Sequence, residues 1–170
     1  KVGLMYPDIG GYGTKDIEFV MGFDIDVRKV NKPLAEALRA APNCSMNHVN
    51  TIHTNGDSNS SCVKSKAMVY SAPELDGIAP HMHDYPDEVT FVNGAIPAES
   101  FDRTVELIKY HDVDVLINYL PVGSEDATKY WIDVAIKAGV NFVNCIPTLI
   151  STDDAMETEQ RFIDAGLTIV

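Results

Sequence analysis

Positive charge is scarce in this sequence: 13 lysines and arginines stand against 25 aspartates and glutamates, a formal net charge of −12. That balance argues against nucleic acid or an anionic membrane surface as a partner, while leaving room for a local positive pocket around one phosphate. No apolar run approaches the roughly 18 residues of a membrane span, and the N-terminus has no signal-peptide pattern. Cysteine is limited to Cys44, Cys62 and Cys145, an odd set without zinc spacing. A cytoplasmic protein with free thiols is therefore expected, and the N-x-S sequons at Asn43 and Asn59 carry no weight. A phosphate loop in its proper context is also missing. Gly10-Gly11-Tyr12-Gly13 follows no strand and leads into a strand rather than a helix, so it reads as a plain loop within an irregular segment 1–16.

What is present, 170 residues with 45% hydrophobic content, suffices for one well-buried domain. Ile17 to Phe23 predicts a strand, ending in Asp24-Ile25-Asp26. Pro33 to Ala41 carries Leu34, Ala37, Leu38 and Ala41 at helical spacing, with Pro33 suited to a first turn. Residues 42–66 are polar and without period, a long loop or insertion; His48, His53 and Cys62 within it match no metal-ligand spacing. Ala67 to Tyr70 and Val89 to Val92 read as short strands, and Pro73 to Ile78 as a turn and loop. His81 and His83, at i, i+2 beside Asp84, make a divalent metal conceivable, but such a pair in a loop is more often solvated or hydrogen-bonded, and no metal is expected.

From Pro97 the pattern sharpens. Phe101, Val105 and Ile108 predict a helix with one buried face. Val113, Val115, Leu116 and Ile117 then form a mostly β-branched run apolar enough for a buried strand. Asn118 and Tyr119 end it in hydrogen-bonding groups, Pro121 stops the ladder, and Gly123 and Ser124 lead into a helix for which Ser124 is a good N-cap. That helix places Ala127, Tyr130, Trp131, Val134, Ala135 and Ala138 on one stripe and stops at Gly139. Val140 to Ile146 predicts the next strand, followed by a capped helix from about Ser151 to Ala165. Leu167 to Val170 looks like a strand beginning, so a portion of a longer chain is expected.

Alternating strands and helices with short connections predict a doubly wound parallel sheet, α/β in class. In such a sheet Asp24, the Asn118–Ser124 turn and Asn144–Pro147 all lie at strand carboxyl ends, where open α/β sheets bind ligands. An acidic residue ending a strand there accepts hydrogen bonds from an adenosine ribose, which favours NAD over NADP; Asp24 is the first candidate and Asp26 the second. Either residue also reads as a turn or cap.

Phe23-Asp24-Ile25-Asp26, Leu75-Asp76-Gly77-Ile78, Val113-Asp114-Val115-Leu116, Tyr119-Leu120-Pro121-Val122-Gly123-Ser124-Glu125, Ala138-Gly139-Val140 with Phe142-Val143-Asn144 and Pro147, and Asp164-Ala165-Gly166-Leu167 form a series. It resembles the inositol-3-phosphate synthase family of the actinobacterial and archaeal type, over roughly 17–41 and 70–170. The resemblance implies a Rossmann-like NAD-binding domain, here without its first strand and glycine-rich turn, and without the lysine-rich catalytic and tetramerisation domain. It implies conversion of glucose 6-phosphate to 1D-myo-inositol 3-phosphate by internal oxidation, aldol closure and re-reduction, in a homotetramer. By the same resemblance Asp24 would hold the adenosine ribose. Tyr119, Pro121, Gly123 and Ser124 would line the cofactor, and Asn144 and Pro147 would lie toward the nicotinamide. No residue acquires a catalytic role, and this segment alone is expected to be inactive. An NAD(P) oxidoreductase of homoserine dehydrogenase or dihydrodipicolinate reductase type, and a non-catalytic NAD-binding module, are the alternatives.

Overall fold

The computed structural model describes residues 5–43, 63–94, 96–148 and 153–170, with side chains of 63–65 and 153–155 outside the description. The expectations placed on most of the polar loop 42–66, on its histidines and two of the cysteines, and on a cap at Ser151 lie outside the described residues. The chain divides into two compact units, one formed by Lys1–Ala72 with Pro86–Pro97 and the other by Pro73–Tyr85 with Ala98–Val170.

In the first unit, Ile9 and Tyr12 exchange backbone hydrogen bonds of 2.9 and 3.1 Å across Gly10 and Gly11, both at positive φ. The glycines thus make a tight two-residue turn, which needs left-handed backbone at both positions. Strand β1 (Phe19–Asp24) pairs in parallel with β2 (Val63–Ser71), which is longer than the Ala67–Tyr70 stretch expected. Helix α1 is limited to Leu34–Ala37 rather than running to Ala41. The side-chain amide of Asn43 donates to the carbonyls of Ala37 and Leu38, and so satisfies groups that a longer helix would have bonded internally. Val30, Ala37, Ala67 and Val69 form the buried core of this unit. Val89 to Val92 is no strand: it follows a turn, and Val92 bonds back to the loop after β1 through Val27 N–H to Val92 O, 2.9 Å.

The second unit contains α2 (Phe101–Tyr110), β3 (Val115–Asn118), α3 (Glu125–Ala138), β4 (Asn141–Asn144) and α4 (Asp153–Asp164). Ser100 caps α2 by accepting from Arg103 N–H at 3.2 Å. Gly139 ends α3 with φ +80°, a conformation glycine adopts without strain. Strands β3 and β4 pair in parallel, and Ile169 adds a parallel bridge to Phe142 on the far side of β4. Ile108, Val134, Ala135, Phe142 and Phe162 are essentially sealed from solvent. Pro80–Asp84 forms a short 3₁₀ turn in which His81 packs edge-on against Tyr85, so the two histidines do not share one side of an extended chain.

The α/β class and the parallel pairing are as expected. The described strands form two separate two-stranded sheets. The β1–β2 register shifts between Phe19 and Met21, whereas β3 and β4 pair without interruption; β3 leaves Val115 and Ile117 at 42% and 40% exposure, on a strand with one neighbour among the described residues, and so is not the buried strand expected. Among the described residues no helix is long and apolar enough to cross a membrane.

Candidate functional site

The carboxyl ends of β3 and β4 carry two side-chain amides, Asn118 buried and Asn144 partly buried, with exposed residues in the loops that follow. Asn118 and Asn144 are register partners across the strands. Asn118 donates through Nδ2 to Asn144 Oδ1 at 2.9 Å and to Thr128 Oγ1 at 3.1 Å, and accepts from Leu120 N–H at 3.1 Å. The Thr128 hydroxyl donates to the Ser124 carbonyl at 2.6 Å. Asn144 Nδ2 in turn donates to the carbonyls of Ile146 and Thr148. Each asparagine therefore shapes the loop that follows its own strand. Above them Tyr119, Pro121, Gly123, Cys145 and Pro147 are exposed. Tyr119 stands 77% exposed, and its hydrogen bond with Cys145 raises the phenol's pKa above the ordinary value.

Ser124 begins α3 but does not cap it with its side chain. Its hydroxyl is buried without a protein partner, and a side chain on Gly77 (φ +83°) would come within 2.0 Å of it. The cap comes instead from Asp76, whose carboxylate accepts from Asp126 N–H at 2.7 Å and from Ala127 N–H at 2.9 Å. Burial by itself would raise the Asp76 pKa, but donation from Ala127, Asp126 and Glu125 N–H outweighs it and holds the carboxyl below its ordinary value. The positive end of the α3 dipole is thus already met by a carboxylate, so it does not fit a cofactor pyrophosphate.

In the first unit, Asp24 and Asp26 have unlike environments. The Asp26 carboxylate is fully buried and accepts from Arg28 N–H, Arg28 Nε, Arg28 Nη2 and Val92 N–H. Burial pushes its pKa up, but the Arg28 side chain and the backbone donors outweigh that and leave it below the ordinary range. Arg28 also donates to the carbonyls of Asp87 and Thr90, tying segment 86–94 to the loop after β1. Asp26 is internally committed. Asp24 is only partly buried; one oxygen accepts from Asp26 N–H at 2.8 Å and the other from Lys29 Nζ at 3.1 Å. Each oxygen retains a lone pair, so this group fits the hydroxyls of a ribose. Among the described residues, no group of three or more His, Cys, Asp or Glu is placed to hold a metal ion.

The chain is 39% identical to an inositol-3-phosphate synthase of Corynebacterium glutamicum, over 99% of this chain and 40% of that protein. An inositol-3-phosphate synthase of Mycolicibacterium smegmatis is 38% identical over the same shares. This chain resembles the inositol-3-phosphate synthases of actinobacteria. It spans about 40% of the length of these curated synthase relatives. A crystal structure of Ari2 superposes with a TM-score of 0.70 at 26% identity, covering 99% of this chain and 41% of that one. No family model matches the chain.

Asp76, Thr128 and Arg28 are the residues that sequence reasoning left without a role. Leu75-Asp76-Gly77-Ile78 was legible as a turn with acidic side chains; nothing local tells which helix its carboxylate meets.

Proposed function

We propose that this chain supplies much of the NAD site of an isomerase, and that the complete protein converts D-glucose 6-phosphate to 1D-myo-inositol 3-phosphate. This is the first step of inositol and inositol-phospholipid biosynthesis. The observation that carries this reading is the 36–39% identity to named synthases, sustained over 99% of the chain. A soluble cytoplasmic homotetramer is part of the proposal.

Asp24 would accept the adenosine ribose hydroxyls, because its carboxylate is partly exposed at the end of a parallel strand. Tyr119, Pro121, Gly123 and Pro147 would line the cofactor from the exposed loops after β3 and β4. Asn118 and Asn144 would hold those loops in place, with Ser124 and Asp76 anchoring the first loop to α3. Asp26 would act at one remove, through Arg28, by fixing the loop that follows Asp24. When bound, NAD would supply a hydride acceptor that is restored within each turnover. The pyrophosphate, the sugar phosphate and the proton transfers are assigned to no residue of this chain.

The test is an assay of the complete protein with glucose 6-phosphate and NAD. Inositol phosphate formed without net accumulation of NADH is the expected outcome. Stoichiometric NADH release would favour a conventional dehydrogenase and overturn the isomerase reading; NAD binding without turnover of the sugar would favour a binding module.

A further inference from the structure

The loop after β1 carries two neighbouring cations, and they have different fates. Arg28 is consumed by Asp26 and by the carbonyls of Asp87 and Thr90. Lys29 instead places Nζ 3.1 Å from Asp24 Oδ2, with side-chain exposures of 13% for the lysine and 30% for the aspartate. A long, flexible ammonium held mostly out of solvent against a strand-end carboxylate is more than a surface ion pair, because both groups are partly desolvated and the carboxylate is pinned at its other oxygen by Asp26 N–H.

Building on the reading that Asp24 holds the NAD ribose, we infer that Lys29 is the specificity partner of that carboxylate. In the native protein Lys29 orients Asp24 toward the ribose diol, and Asp24 in return neutralises the ammonium. A 2′-phosphate brought to the same place meets the carboxylate's negative charge, which excludes it, while the ammonium that would bind it is occupied. Removal of the carboxylate leaves Lys29 as an unpaired cation beside the ribose position. Lys29 is thus a phosphate-binding residue masked by Asp24, and a single substitution at Asp24 exposes it. Arg28 does not take over that role, since four of its five guanidinium N–H groups are engaged by Asp26 and two carbonyls.

The experiment is a titration of NAD and of NADP onto the complete protein in five forms: native, Asp24→Ser, Lys29→Met, the double variant, and Asp24→Ser combined with Lys29→Arg. Circular dichroism confirms folding of each. The native protein is expected to prefer NAD. Lys29→Met should weaken NAD by about threefold to tenfold, as loss of one charge-assisted hydrogen bond at a partly exposed site implies. Asp24→Ser should weaken NAD by roughly tenfold or more and tighten NADP by a similar factor. The double variant should lose the NADP gain. In Asp24→Ser the NADP affinity should also fall as salt is raised, and Lys29→Arg should keep the gain. Unchanged NAD affinity in folded Asp24→Ser would overturn the ribose assignment itself. If Asp24→Ser weakens NAD but its NADP affinity is the same with and without Lys29, the ribose assignment stands and the role of Lys29 is overturned.

Discussion

Asn118 and Asn144 face each other as register partners at the ends of two parallel strands and are joined by a 2.9 Å side-chain hydrogen bond. Around this bond the polar strand ends sort into two kinds of residue. The asparagines are turned inward and satisfied by protein groups, whereas the residues just after them, Tyr119 and Cys145, are exposed. The amides are therefore supports for the loops rather than groups with free valences for a ligand.

Asn118→Leu should test that role. The substitution leaves Leu120 N–H and Asn144 Oδ1 without their partner, and about 1–3 kcal/mol of stability should be lost for groups unsatisfied in a partly buried site. Urea unfolding of the variant checks the value. A loss near zero would mean that the amide bridge has little weight.

Asp76→Ala removes the acceptor for two N–H groups at the start of α3 and should cost about 1–2 kcal/mol near neutral pH, the range of a lost N-cap. The folded Asp76 pKa lies below the ordinary 3.8. Its contribution is therefore complete above about pH 4 and fades as pH falls through the lower folded value. Unfolding curves of native and variant protein should converge on acidification; a gap independent of pH would exclude a role for the ionised carboxylate.

Gly77→Ala and Gly123→Ala form an informative pair. Both glycines have positive φ, near +83° and +92°, so alanine strains the backbone at either by about 1–2 kcal/mol. Only at Gly77 does the new methyl run into a buried neighbour, the Ser124 hydroxyl, while nothing lies within 4 Å at Gly123. The Gly77 variant should melt well below the Gly123 variant. Equal melting temperatures would show that the Leu75–Ile78 turn is not packed on the start of α3.

Arg28→Met should be the most damaging of these changes. It strands the buried Asp26 carboxylate and frees the carbonyls of Asp87 and Thr90, so about 3–5 kcal/mol should be lost, as for a buried ion pair broken on one side. Without the Arg28 side chain the Asp26 pKa should rise, since burial is then opposed only by the backbone N–H groups of residue 28 and Val92. The variant's deficit should accordingly shrink as pH is lowered through that raised value, where Asp26 takes up a proton. Chemical unfolding at pH 7 and at pH 4.5 measures both effects.

The apolar periodicity of 101–108, the strand at 115–117 though not its exposure, the stripe on α3 and the glycine stop at Gly139 were legible in the sequence. Each rests on contacts within a turn or two of the chain, or on a conformation that one residue type alone adopts easily. So were the parallel pairing and the polar strand ends. Where a helix stops, and which carboxylate holds which backbone, were not. Pro33–Ala41 has helical spacing throughout, yet Asn43 takes over the carbonyls of Ala37 and Leu38. Ser124 has the chemistry of a cap, but the cap is Asp76, 50 residues earlier in the chain than Asp126, which donates to it. Asp24 and Asp26 look alike in sequence, and a contact with Val92, 66 residues away from Asp26, helps to bury one of them. Local pattern governs which segments can be helix or strand, because backbone hydrogen bonds and side-chain periodicity act at short range. The satisfaction of a buried polar group depends on whichever donor the fold brings near, and that choice belongs to the tertiary structure.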